Sequence, residues 1–370
     1  MIRSARISRS SLIREASVAM LSSYSGPDRG SLPYPSAIWV AILLSGCAAL
    51  AAGSKTSPVL ERPMSPAEAG RLVMVTGGAG FIGSNLVDAL IERGCRVRVV
   101  DNFSTGRREN LNPRAELVEA DVQDTAVLAR AMSGVDCVFH VAALPRIPLS
   151  IAHPMETHMA NAVGTLSALI AARDSGVRRF VFSGSSSVYG AQERMPLVES
   201  MAPNPLNPYA LQKYMGEQYT RMFHRLYGME TLTLRYFNVY GPRMTTEGAY
   251  TTVIAAFLKT RRMGRPLEIH GDGEQTRDFT HVSDVVAANL LAMDCETADG
   301  RALNIGYGRN VSVNRIAALI GGPTVRAQAR KGDMRDTLAD NSAARATLGW
   351  IPRISVEDGI ADLLKAEALG

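Results

Sequence analysis

The sequence is short of the residues that build metal sites and disulfide scaffolds. Its 370 residues include four cysteines, Cys47, Cys95, Cys137 and Cys295, with no CxxC pair, too few and too scattered to staple a fold. Cys95 and Cys137 sit in apolar stretches and read as core thiols of a reducing compartment. Six histidines fall in no HExxH or similar spacing, which argues against a structural or catalytic metal. Concentrated charge is also missing. The net charge is +5, but residues 1–63 hold seven Lys/Arg against three Asp/Glu, so the remainder carries only +1 and no basic run. Nucleic acid is therefore not an expected partner. The apolar run Ala37–Gly53 stops at 17 residues, short of the ~20 that a spanning helix needs. What remains, 46% hydrophobic and 20% charged, is a globular chain of one large or two moderate domains.

The first 63 residues stand apart. The apolar run follows an Arg- and Ser-rich stretch and contains "LLSGC", which resembles the lipid-attachment box of bacterial lipoproteins with Cys47 as the acylated residue. Against an anchor, the basic lead is long, and "MSPAEAGRLVMVTGG" from Met64 reads as a natural start for a cytoplasmic enzyme. The expectation is a basic and apolar extension that is disordered or not native, with membrane attachment only if it is a real anchor.

"RLVMVTGGAGFIGSNLVDALIERGCRVRVVDN" reads as strand, glycine turn, helix and strand. Gly77, Gly80 and Gly83 give GxxGxxG in that setting, the arrangement that lets a backbone approach a pyrophosphate at a helix N-terminus. Asp101, ending the second strand, can accept from a ribose diol and would repel a 2′-phosphate, favouring NAD over NADP. Arg107 and Arg108, a few residues on, read as a solvated loop. The alternation continues through "AELVEADVQD", "VDCVFHVAAL", "NAVGTLSALIAARDSG" and "RRFVFSGSSS". The fold class is α/β, a doubly wound parallel Rossmann sheet with ligands at the carboxyl ends of its strands.

Two groups of polar residues fall where such ligands would lie. "SGSSSVYG" sets three serines at a strand end with no carboxylate beside them. In "PNPLNPYALQKYMGEQY", Asn207 is a helix N-cap and Pro208 the first helical residue. Tyr209 and Lys213 then share one face at i and i+4. A phenol with a pKa of about 10 is a poor base at neutral pH, and a neighbouring ammonium brings its phenolate within reach.

Taken in order, TGGAGFIG, DN at 101, DV at 121, HVAA at 140, NAVGT at 161, SSSVYG, YALQK, RYFNVYGPR at 235 and DGEQTRDFTHVSDVV at 272 resemble the extended short-chain dehydrogenase/reductase enzymes that act on sugar nucleotides. Within that family the chain looks most like UDP-N-acetylglucosamine/UDP-glucose 4-epimerases. The resemblance implies Tyr209 as base, Lys213 as its partner and holder of the nicotinamide ribose, and Ser185 as the catalytic hydroxyl. It implies NAD as cofactor, lined by Gly77, Gly80, Phe81, Ile82, Gly83, Asp101, Asn102, Asp121, Val122, Ala142, Ala143 and Asn161, with Tyr236 near the nicotinamide. Asn238, Arg277, Arg330 and Asp333 match positions that hold the UDP group, two arginines being suited to a diphosphate. Ser186 and Ser187 become substrate contacts. Thr337 matches a gate where a small residue admits N-acetylated sugars. One departure stands out: "AALPRIPLS" carries Pro145 and Arg146 where close relatives carry small residues, and Arg146 could reach a substrate carboxylate.

The implied reaction is 4-epimerisation of a UDP-hexose through a 4-keto sugar with no net redox change. The alternatives are UDP-glucuronate 4-epimerisation, sugar-nucleotide 4,6-dehydration or decarboxylation, and a catalytically silent NAD-binding regulator. Elimination needs an acid and a base beyond the tyrosine, whereas Ser186 and Ser187 fill those places. The expected organisation is an NAD-binding Rossmann domain over 64–240, with 278–298 returning to it. A smaller C-terminal α/β substrate-binding domain would take 241–277 and 299–370, in a cytoplasmic homodimer serving nucleotide-sugar and polysaccharide metabolism.

Overall fold

The computed structural model describes residues 70–245, 251–329 and 335–369, so the 1–63 extension, Arg330 and Asp333 lie outside the described residues. Strands β1 (Leu72–Thr76), β2 (Arg96–Asp101), β3 (Glu116–Glu119), β4 (Cys137–His140), β5 (Arg179–Ser185) and β6 (Glu230–Tyr236) join an edge strand, Asp299–Ile305, in one sheet. Their order is β3-β2-β1-β4-β5-β6 and then the edge strand, and every pairing is parallel. A parallel sheet is covered on both faces, so its strands read as apolar runs rather than alternations. "CVFH" of β4 is buried at every position, as is "RFVFSG" of β5.

The two-residue pleat sorts β1 between two cores. Val73 and Val75 pack with Leu86, Val87 and Leu90 of helix α1 (Phe81–Glu92) and with the helix Val282–Asp294. Met74 faces the opposite core, with Leu128 of α2 (Thr125–Ala131), Ala168 and Leu169 of α5 (Gly164–Asp174), and Phe223 of α6 (Pro208–Tyr227). Between α2 and α5 lie two short helices, α3 (Ile147–Ala152) and α4 (Pro154–His158), and one π turn, Met159–Val163. Each fully buried Phe or Leu contributes roughly 1.5–3 kcal/mol, so the large buried side chains Phe139, Phe180 and Phe182 anchor the centre of the sheet.

A smaller module follows β6. The helices Val253–Arg262, Val313–Ile320 and Val356–Leu369 enclose Phe257, Ile269, Ile316 and Ile360 around the paired strands Leu267–His270 and Thr324–Ala327. It is tied to the large sheet through Asp284, whose carboxylate accepts from the N–H groups of Arg353 and Ile354, each at 3.0 Å. The sequence ended the return to the Rossmann sheet at 298. The structure carries it further, because Asp299–Ile305 hydrogen-bonds to β6 along its length. Strand pairing across some seventy intervening residues leaves no local mark that a periodicity could register.

The chain leaves β1 for β2 and β3 on one side, then returns to β4 on the other. That reversal opens a crevice beyond the carboxyl ends of β1 and β4.

Candidate active site

The crevice is a cleft of about 1040 Å³ lined by the segments that follow β1, β2, β4 and β5, by the start of α6, and by the smaller module. Its first wall is made of backbone. Gly77 takes φ +70°, and a Cβ there would lie 2.7 Å from the Ala142 backbone; at Gly83 a Cβ would lie 2.1 Å from the Gly77 carbonyl oxygen. Only hydrogen side chains allow this turn to close between β4 and α1. Helix α1 follows Gly80 as its N-cap with no side-chain cap, so the N–H groups of its first turn, at Phe81, Ile82 and Gly83 on the cleft wall, remain open to an anion. Asp101 is buried; one carboxylate oxygen accepts from Ala79 N at 2.9 Å and the other from Phe103 N at 2.8 Å, which leaves lone pairs for a diol. Asn102 donates to Asp121 at 2.8 Å, joining the ends of β2 and β3 beside Val122. These features fit a dinucleotide with a free 2′-hydroxyl.

The second wall carries reactive side chains. Asn207 caps α6 through the Ala210 N–H at 2.9 Å, Pro208 opens it, and Gly228 closes it at φ +68°. One turn apart on that helix, Tyr209 and Lys213 both line the cleft. Lys213 is buried, donates to the Ser183 carbonyl at 2.9 Å and lies 5.0 Å above the Phe182 ring. Burial lowers its pKa to about 8, since a desolvated ammonium is costly. Burial raises that of Tyr209, and a hydrogen bond with Ser185 opposes the rise. Ser185 ends β5 and accepts from Ser187 N at 3.2 Å and Ser187 Oγ at 2.9 Å. A bound cation close to the phenol would work in the same direction as Ser185.

The serine turn is held from behind. Arg235 donates to Glu217 through two bonds at 2.8 and 2.7 Å and to the Tyr189 hydroxyl at 2.7 Å, which itself donates to Asn304 at 2.7 Å. Ser186 and Ser187 face the cleft, as do Tyr236, Asn238, Arg277 and Thr337. The Asn238 amide donates to the Asp278 carbonyl at 2.9 Å and to Thr337 Oγ1 at 3.3 Å, bringing two residues 99 apart onto one surface. Among the described residues lining the cleft, the carboxylates are Asp101, Asp121 and Glu268, on or after β2, after β3, and on the strand Leu267–His270. None belongs to the serine turn or to α6.

A glycine turn under a dinucleotide, with a serine, a tyrosine and a lysine at the adjoining strand end, is the arrangement of one enzyme family, and the sequence profile of the NAD dependent epimerase/dehydratase family matches residues 73–306. The chain belongs to that family. It is 38% identical over 297 residues to a putative UDP-glucose 4-epimerase of Methanocaldococcus jannaschii, covering 78% of this chain and 96% of that one. The UDP-glucose 4-epimerase of Thermotoga maritima, solved with UDP-glucose, is 38% identical, with a TM-score of 0.77 over 81% of this chain and all of that one. A UDP-N-acetylglucosamine 4-epimerase of Methanobrevibacter ruminantium, solved with UDP-N-acetylmuramic acid, is 35% identical, with a TM-score of 0.78 over 81% and 99% of the two chains.

Asn161 departs from the place the family resemblance implied. It is 1% exposed and absent from the cleft wall. Its side chain accepts from Leu144 N at 2.7 Å and donates to Leu144 O at 3.0 Å, with the Gln212 amide 2.9 Å away. It therefore fixes the loop after β4 instead of lining a cofactor. Four supporting residues escaped the sequence reading. Ser150 of α3 accepts from Tyr209 N at 3.1 Å. Asn289 and Ser183 hold the Tyr236 hydroxyl at 2.9 and 3.1 Å. His140, buried below Lys213 and kept neutral with a pKa lowered to about 3, sits between Thr76 at 2.9 Å and Thr165 at 3.1 Å. Only His140, a histidine ending an apolar strand, carried a local signal.

Proposed function

We propose that this chain is an isomerase that inverts C4 of a UDP-hexose with NAD held in place. The observation that carries the reading is Tyr209, Ser185 and Lys213 on one cleft wall, with none of the described carboxylates that line the cleft on the serine turn or on α6. Tyr209 takes the proton of the 4-hydroxyl and returns it to the 4-epimer. Ser185 donates to the developing phenolate, and the Lys213 ammonium stabilises it electrostatically. NAD supplies the acceptor and then the donor of the C4 hydride. The N–H groups at Phe81, Ile82 and Gly83 hold its pyrophosphate, and Asp101 holds the adenosine ribose. Asn238 and Arg277 hold the UDP diphosphate.

Dehydration or decarboxylation is the rival chemistry. Ser186 and Ser187 cannot serve as the additional acid that eliminating water requires. Thr337, small and buried with its hydroxyl tied to Asn238, supports room for an N-acetyl group. The active form is a homodimer. Support comes from the apolar residues Ile151, Met155, Leu211, Met222 and Leu226, exposed on α3, α4 and α6, since such patches mark interfaces. Among the described residues no helix is long and apolar enough to cross a membrane. The unbridged thiols of Cys137 and Cys295 support a reducing, cytoplasmic setting.

The test is to incubate the full chain with UDP-glucose and UDP-N-acetylglucosamine and follow C4 configuration by NMR. A gluco/galacto mixture is expected. A 4-keto-6-deoxy sugar, or no C4 inversion of any UDP-sugar supplied, would remove the reading.

A further inference from the structure

Among the described residues the three buried arginines are matched to carboxylates. Arg93 meets Asp294 at 3.1 Å, Arg179 meets Glu230 at 2.7 Å and Arg235 meets Glu217 at 2.7 Å. Arg146 lines the cleft half-buried, and among the described residues no carboxylate or other side-chain hydrogen-bond partner meets its guanidinium. Its backbone stands at φ +127°, a conformation that L-residues avoid unless their surroundings impose it. The surroundings do impose it. Asn161 brackets Leu144 at both its N–H and its carbonyl. The Arg146 carbonyl accepts from Ser150 N at 3.1 Å, and Ser150 in turn receives the N–H of Tyr209 at 3.1 Å. A fixed strut thus runs from the loop after β4 to the residue proposed to handle the 4-hydroxyl proton, with Arg146 one helical turn from the hydroxyl that seats it.

A guanidinium lining a cleft with no side-chain partner among the described residues is a preformed site for an anion. The phosphates have other hosts: the first turn of α1 for the cofactor, and Asn238 with Arg277 for the UDP group. The geometry points to Arg146 as the residue that reads a carboxylate carried by the hexose, so that this enzyme's substrate class is an acidic UDP-sugar. That assignment rests on the UDP-sugar epimerase reading and sharpens it. Burial also lowers the Arg146 pKa from the usual arginine range, as a desolvated cation awaiting an anion would show.

Two sources of that carboxylate are distinguishable: C6 of a hexuronate, or an acid linked through O3. The full chain is given UDP-glucose, UDP-N-acetylglucosamine, UDP-glucuronate and UDP-N-acetylmuramate in parallel, with kcat and KM for C4 inversion measured by NMR. One acidic sugar is expected to exceed its neutral counterpart by tenfold or more in kcat/KM. Arg146→Ala and Arg146→Gly, the second compatible with φ +127°, should shrink that preference by about 10- to 100-fold, mainly through KM, the range of a lost charge-assisted hydrogen bond. Calorimetric binding of the same four nucleotides should show the same shift without turnover. A wild-type preference for both neutral sugars would overturn the assignment while leaving the epimerase reading intact. So would variants that weaken all four nucleotides alike. Inversion of none of the four would overturn the epimerase reading itself.

Discussion

The two walls of the cleft are built on different principles. The cofactor wall is one continuous stretch, from the end of β1 through the first turn of α1, closed by Asp101 at the end of β2. The first turn of α1 leaves backbone N–H groups open on it, and its shape depends on glycines with no room for a Cβ. The other wall is a set of side chains, Ser185, Tyr209, Asn238, Arg277 and Thr337, contributed by five separate segments, where we place the sugar. Backbone walls tolerate little substitution and offer one chemistry. Side-chain walls can be retuned residue by residue, which is how one scaffold supports different sugar chemistries.

The sharpest way to break that contrast is to delete a single reactive group from the side-chain wall. Tyr209→Phe should lower kcat by about 10³-fold while NAD remains bound, within the 10²–10⁴ range of general acid–base groups. Stopped assays with retained cofactor absorbance would check both halves of the expectation. Gly83→Val attacks the other wall. Its side chain would drive into the Gly77 carbonyl, so the purified protein should lose bound NAD and melt earlier, as differential scanning calorimetry would report.

Lys213 gives the side-chain wall a pH signature. Its pKa is lowered to about 8, so the ammonium is present below that pH and lost as pH rises through it. The phenolate of Tyr209 loses its neighbouring cation in the same interval, and kcat should fall on the alkaline side. In Lys213→Met that alkaline limb should disappear and kcat should drop by about 100-fold, read from a pH–rate profile between pH 6 and 10. The smallest expected effect is Asn161→Ala. It strands the Leu144 N–H and carbonyl in a buried loop and should cost about 2 kcal/mol in urea unfolding. If Asn161 contributed nothing beyond the cofactor wall, NAD affinity would change and stability would not.

How far the sequence could be read follows the same division. GxxGxxG, Asp101, the Asn207–Pro208 helix start and the Tyr209–Lys213 spacing are local patterns, and each lies where its spacing placed it. Asn161 was misplaced because its role depends on Leu144 and Gln212, 17 and 51 residues away. Ser150 and Asn289 act through hydrogen bonds to single distant partners, 59 and 53 residues off, and the edge strand Asp299–Ile305 joins the sheet through β6 alone. For Arg146 the sequence offered an unusual residue, and only the cleft supplied its unpaired setting.

The central claim is that hydride leaves C4 and returns to C4. It is tested most directly with UDP-hexose deuterated at C4, incubated with the full chain in ordinary water and without added NAD. The account expects the 4-epimer to form with its deuterium still at C4. Loss of that deuterium to solvent, or its transfer to C6 of a deoxy sugar, would contradict it.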